Sequence, residues 1–134
     1  MTTLSPADAV AVQQLVVRYG FALDDRDWPA FDSIFTEDAV VDFRNHRGDP
    51  PTGVGPLIGR AEIVRQFRDV LQHPYQHMLV AQLIEDVGDD EVVVRSKALF
   101  PMPGNTVADV AYRDVLVRTE AGWRIREKSI VSYH

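Results

Sequence analysis

The chain has no cysteine. That excludes a disulfide framework, a thiolate nucleophile, and any zinc or iron–sulfur site built on cysteine ligands. No apolar run approaches the roughly 20 residues that a membrane-spanning helix needs, so no membrane partner is expected. Met1-Thr2-Thr3-Leu4 lacks the basic start and apolar core of a secretion signal, and the cytosol is the expected compartment. Cationic residues are in deficit: 14 Lys and Arg against 20 Asp and Glu leave a net charge of −6. A nucleic-acid surface selects a basic face, and here the arginines are scattered, so no nucleic-acid partner is expected. Internal repeats, low-complexity stretches and interdomain linkers are also missing. What is present is ordinary for a globular domain, 46% hydrophobic and 25% charged residues. The 134 residues read as one domain, 1–134, long enough to bury a real core.

Ser5-Pro6-Ala7-Asp8 reads as a helix start, with Ser5 as N-cap, Pro6 in the first turn and Asp8 near the positive end. Val12, Leu15, Val16, Tyr19, Ala22 and Leu23 then recur at helical spacing on one face. Val10, Val17 and Phe21 form a second apolar arc, which predicts a helix wedged between layers. Asp27 is placed to cap a short second helix that turns Phe31, Ile34 and Phe35 inward. Ala39 to Phe43 reads as a strand. Asn45 to Gly59, with three prolines and four glycines, reads as a loop of lid type. Ala61 to Leu71 resumes helical spacing. From Tyr75 the signal is β: Tyr75–Val87 and Glu91–Phe100 flank the turn Gly88-Asp89-Asp90, and Val107–Thr119 and Trp123–Tyr133 flank Glu120-Ala121-Gly122. Helices first and long antiparallel strands afterwards indicate α+β, a curved sheet wrapped around helices with a concave pocket at its open end.

Asp24 carries the most information. A helix C-terminus is partially negative and a poor place for an anion, and the helix is apolar on more than one side. Both effects favour proton exchange near neutrality. The plain alternative is a solvated acid in the charged connection Asp24-Asp25-Arg26-Asp27, and the two readings weigh equally. His77 opens an apolar strand and by strict alternation shares a face with Leu79, Ala81 and Leu83. It reads either as a satisfied core histidine or as a general base tuned by a carboxylate. Tyr19 is a buried tyrosine or a pocket donor. Tyr112 and Asp114 share one face of their strand and Asp109 the other; Asp114 reads as an exposed partner for a neighbouring arginine. Trp123, Ile125, Phe67, Phe100 and Phe43 read as core.

Other patterns are weak. His73 and His77 stand four apart, but Pro74 breaks any helix between them and no third ligand completes a set, so no metal is expected. Gly53-Val54-Gly55 followed by Gly59 lacks the lysine and spacing of a phosphate loop. No serine lies in a G-x-S-x-G elbow.

Tyr19 through Asp24 to Trp28, Phe35-Thr36-Glu37-Asp38-Ala39-Val40-Val41-Asp42-Phe43, Tyr112-Arg113-Asp114 and Gly122-Trp123-Arg124-Ile125 together resemble a SnoaL-like domain of the nuclear transport factor 2-like superfamily. The resemblance covers nearly the whole chain. It implies a cone-shaped α+β barrel, a curled mixed sheet around three helices, often assembled as a homodimer. Within the superfamily the chain is similar to the branch containing scytalone dehydratase, bile-acid dehydratase and lindane dehydrochlorinase. That likeness implies a catalytic dyad of Asp24 and His77, with Tyr19 as a pocket residue. The chain departs from scytalone dehydratase at Met102, where a second histidine would stand, at Phe43 and at Leu23, so scytalone itself is not the expected substrate. Cyclases of this family use a strand carboxylate, which would be Asp109 or Asp114, and Asp42 only approaches the acid of ketosteroid isomerases. The resulting expectation is a cofactor-independent dehydratase or isomerase. Its substrate would be small, hydrophobic and ring-containing, bound by Tyr19, Phe43, Met102 and Tyr112 in a pocket lined also by Val17, Phe21 and Leu79. The rivals are a cyclase or isomerase working through a strand carboxylate with the dyad vestigial, and a non-catalytic small-molecule-binding or dimerising module.

Overall fold

The computed structural model describes residues 3–49 and 55–134. The tip of the expected lid loop, with Gly53 and Val54 of the glycine-rich stretch, lies outside them. Helix α1 spans Pro6–Asp24, a 3-10 helix Trp28–Ser33, and helix α2 Arg60–Asp69. Six strands follow the chain as β1 (Phe35–Asn45), β2 (Leu57–Ile58), β3 (Met78–Val87), β4 (Glu91–Met102), β5 (Thr106–Thr119) and β6 (Gly122–Ser132). They form one mixed sheet in the order β2-β1-β6-β5-β4-β3. All neighbours are antiparallel except β1 and β6, which run parallel. The sheet does not close, and β2 and β3 are its edges. This is the expected α+β cone with an open rim.

The start of α1 forms as its residues dictate: Ser5 Oγ accepts from the Asp8 N–H at 3.0 Å, and Pro6 occupies the first turn. Asp8 then ties the helix to the β5–β6 hairpin. Its carboxylate accepts from Arg118 at 3.1 and 3.0 Å and from Trp123 Nε1 at 3.0 Å. The Arg118 guanidinium, with the indole N–H, holds the Asp8 carboxyl well below the usual range. Val12, Leu15, Val16, Tyr19, Ala22 and Leu23 are buried, as their spacing predicts. The second arc is not: Val10 is 58% exposed and Phe21 65%. An open sheet covers one side of α1 only, so the helix is not wedged between layers. The core gathers Phe31, Ile34 and Phe35 with Ile63 and Phe67 of α2 under α1. Phe31 and Phe35 stack with centroids 5.8 Å apart, and Tyr19 meets both edge-on.

Two local readings change, and β6 carries a register shift of its own. Asp27 makes no side-chain cap, and the short helix after it is 3-10. Along β3 the register with β4 shifts between Leu79 and Ala81. The extra residue, Val80, is a bulge that exchanges the two faces. Leu79 therefore lies inward opposite Ala98, whereas Ala81 and Leu83 are exposed and Gln82 and Ile84 take the inner side. Along β6 a second shift, between the Leu116–Ile125 and Val115–Glu127 pairs, moves the inward positions from Trp123 and Ile125 to Lys128 and Ile130.

Candidate functional site

Asp24 is the last residue of α1 and His77 immediately precedes β3. The segment before His77 is pinned to the end of β4, where the Tyr75 N–H donates to the Pro101 carbonyl at 2.9 Å. His77 then offers Asp24 two donors in three contacts. Its backbone N–H reaches both carboxylate oxygens, at 3.1 and 3.0 Å, and its ring Nδ1 lies 2.6 Å from Oδ1. An ionised carboxylate only accepts, so the geometry assigns the proton of the neutral ring to Nδ1. Nε2 is left as the basic nitrogen, and among the described residues it has no hydrogen-bond partner.

The ring is enclosed by aromatics. Phe100 meets it edge-on at 5.0 Å, Tyr19 stands at 6.3 Å and His73 at 6.0 Å. The imidazole is 5% exposed and the Asp24 carboxylate 21%. Burial pulls the His77 pKa below its ordinary 6.5; the Asp24 carboxylate opposes this, while charge on His73 and Lys128 adds to it. Burial wins, and the resting ring is a neutral base.

His77 lines a cavity of about 170 Å³ inside the cone, together with Tyr19, Phe43, Phe67, Leu71, Phe100, Tyr112 and Ile130. Asp24 does not touch that cavity. It lines a separate outer groove of about 480 Å³ with Val17, Phe21, Tyr75, Met78 and Leu79, in which His77 also takes part. His77 thus borders both spaces, and its Nδ1 is bound to the carboxylate that lines the groove. Of the expected binding residues, Tyr19, Phe43 and Tyr112 line the cavity. Met102 does not: it packs at the margin of the core. Val17, Phe21 and Leu79 belong to the outer groove, because the helix arc that carries the first two faces away from the sheet. Among the described residues neither phenol hydroxyl has a hydrogen-bond partner, and burial raises both pKa values, so each hydroxyl keeps its proton and is available as a donor.

Asp114 departs furthest from expectation. It is fully buried, and its partner is a lysine: Lys128 Nζ lies 3.0 and 3.2 Å from its oxygens, with both side chains 0% exposed. The same ammonium sits 4.0 Å from the ring centroid of Tyr19 and 3.8 Å from that of Tyr112. Burial pushes the Asp114 carboxyl up and the Lys128 ammonium down, each opposed by the other's charge. Asp109 lies on the opposite face, 2.6 Å from His134. Asp42 is salt-bridged to Arg44 at 2.9 Å. None of these strand carboxylates lines the cavity, so the acid–base route through Asp109 or Asp114 has no carboxylate in reach of a ligand there. His73 turns Nε2 to the Phe67 carbonyl.

The sequence profile of the SnoaL-like domain matches residues 6–129. An uncharacterised protein of Mycobacterium tuberculosis is 31% identical over 127 residues, covering 89% of this chain and 81% of its own. Among solved structures, a nuclear transport factor 2-like protein with a cystatin-like fold from Novosphingobium aromaticivorans superposes with a TM-score of 0.75 at 22% identity, over 94% of this chain and 82% of that one. A second protein of that organism, provisionally named scytalone dehydratase, superposes at 0.72 with 17% identity, over 92% and 83%. At these identities the superpositions establish the fold.

Proposed function

Because the chain belongs to the SnoaL-like domain family of the nuclear transport factor 2-like superfamily, we propose that it is a cofactor-independent acid–base enzyme, a dehydratase or isomerase. Its substrate is a small, hydrophobic, ring-containing ketone. The observation that carries this reading is the 2.6 Å contact between Asp24 and His77, a histidine that also lines a cavity rich in aromatic side chains. The name of the scytalone dehydratase neighbour adds support for elimination chemistry on this fold.

In the proposed reaction His77 Nε2 removes a proton from the carbon next to the carbonyl, and the electron pair moves to the carbonyl oxygen. Asp24 keeps the other proton on Nδ1 and offsets the imidazolium charge as it forms. The Tyr19 and Tyr112 hydroxyls donate to the developing enolate. Returning the proton from His77 to a β-hydroxyl expels water and leaves a conjugated ketone; returning it to a more distant carbon isomerises the double bond. The cavity volume suits one substituted ring, since an apolar cavity of about 150 Å³ accommodates benzene.

The test is a survey of cyclic β-hydroxy ketones and unconjugated enones, followed by the ultraviolet absorbance of the conjugated product. On a substrate so validated, Asp24→Asn lowers kcat by about 10²–10⁴-fold with unfolding stability nearly unchanged. Wild-type turnover in that variant refutes the dyad. For the assembly we propose a homodimer. The outer sheet face exposes Met78, Val80, Leu83, Leu99 and Val107, each at least 41% exposed in the single chain.

A further inference from the structure

Gly20 lies inside α1, one turn before Asp24, and is buried. It is not among the glycines with positive φ, so its backbone conformation is open to any residue. Helix propensity alone would favour alanine there. What the position demands is space. A Cβ at residue 20 would stand 3.2 Å from His77 Cβ and 3.3 Å from the His77 carbonyl oxygen, with Leu79 Cδ1 at 3.8 Å. The two closest atoms are a backbone oxygen and the first side-chain carbon, so no rotation of a side chain relieves the contact. The segment bearing His77 would have to retreat by a few tenths of an ångström.

That same residue is held by Asp24 through three hydrogen bonds of 2.6–3.1 Å. Positions 20 and 24 are neighbours on one helical face, and both act on His77. Asp24 supplies the attraction and Gly20 the room. We propose that Gly20 is a positioning residue: the absent side chain sets how deeply His77 seats against α1, and so holds Nδ1 at Asp24 and the ring at the cavity wall. Its catalytic meaning rests on the acid–base reading above, but the geometry is testable without any substrate.

Heteronuclear NMR of the imidazoles reads it directly. The wild-type protein is expected to show a single His77 tautomer, protonated at Nδ1, with a protected downfield Nδ1–H resonance. In Gly20→Ala that resonance is expected to broaden or vanish and the Nε2–H tautomer to appear, with the His46 and His134 signals unmoved. A folded Gly20→Ala protein with wild-type His77 signals overturns the proposal. A thermal cycle of Gly20→Ala, Asp24→Ala and the double variant gives a second reading. Alanine at 20 is expected to lower the midpoint by about 4 °C when Asp24 is present and by little when Asp24 no longer holds His77 in place. Equal losses in both backgrounds, or a double variant as unable to fold as Gly20→Ala, overturn it. Failure of the catalytic reading appears elsewhere, as undiminished turnover in Asp24→Asn, and leaves these outcomes untouched.

Discussion

Replacing Lys128 by Met keeps the apolar stem and removes the ammonium, which leaves Asp114 buried without a counter-charge. An unpaired carboxylate at 0% exposure escapes by binding a proton, and that escape caps the penalty. Protonating a group whose ordinary pKa is 3.8 costs about 1.4 kcal/mol for each pH unit above that value. The cap is therefore about 4 kcal/mol at pH 7 and about 1.6 kcal/mol at pH 5. Loss of the cation over the Tyr19 and Tyr112 rings adds about 1 kcal/mol at either pH. A domain of this kind has only about 5–15 kcal/mol in total, so Lys128→Met should be marginal at neutrality and recover on acidification. The sign follows from proton counting: in the variant the folded state binds a proton that the unfolded state lacks, so its stability falls as pH rises. Urea unfolding of both proteins at pH 7 and pH 5 measures the difference. A loss below about 1 kcal/mol at pH 7, or equal losses at the two values, would refute the reasoning. Adding Asp114→Leu should restore most of the stability, because a well-packed apolar pair is about as stable as a buried ion pair.

Two further outcomes follow from the site and the sheet. Burial holds His77 below 6.5, so the unfolded chain takes up its proton first on acidification. Stability should then fall between pH 6.5 and the lower folded value, the rate on a validated substrate should show its acid limb below 6.5, and His77→Gln should remove this component of the stability profile. Val80→Asp or Leu83→Asp on the outer sheet face should convert a dimer to a monomer in sedimentation equilibrium without changing the helical signal in circular dichroism; a wild-type protein that is monomeric at high concentration would refute the assembly.

Much of the architecture was legible because the periods are clean. The buried face of α1, the Ser5 cap and the turns at Gly88-Asp89-Asp90 and Glu120-Ala121-Gly122 follow from local chemistry, and the structure has them where the pattern puts them. The illegible parts share one cause, a change of face within an element. Counted back from the Glu120-Ala121-Gly122 turn without interruption, Asp114 would oppose Glu127. The bulge near Arg126 puts it opposite Lys128 instead, so a buried ion pair was read as a surface one. The bulge at Val80 did the same to Ala81 and Leu83. Exposed Val10 and Phe21 show the converse, since an apolar arc states a preference and does not say what covers it. The meeting of Asp24 and His77, 53 residues apart, lies beyond any spacing rule and was approached only through family resemblance. Lys128 left one faint trace, as one of only two lysines beside twelve arginines.

The parallel pairing of β1 with β6 joins Phe35 to Ile125 and Asn45 to Ser132. The strand that carries Phe43 thus obtains its long neighbour from the far end of the domain, and Ile130 and Lys128 arrive on that same late strand. On a ribosome, α1 and its carboxylate would wait until β6 emerged before the chamber acquired a wall. Loop closure over such a distance slows folding. The domain should accordingly close late, with its greasy interior uncovered until β6 docks.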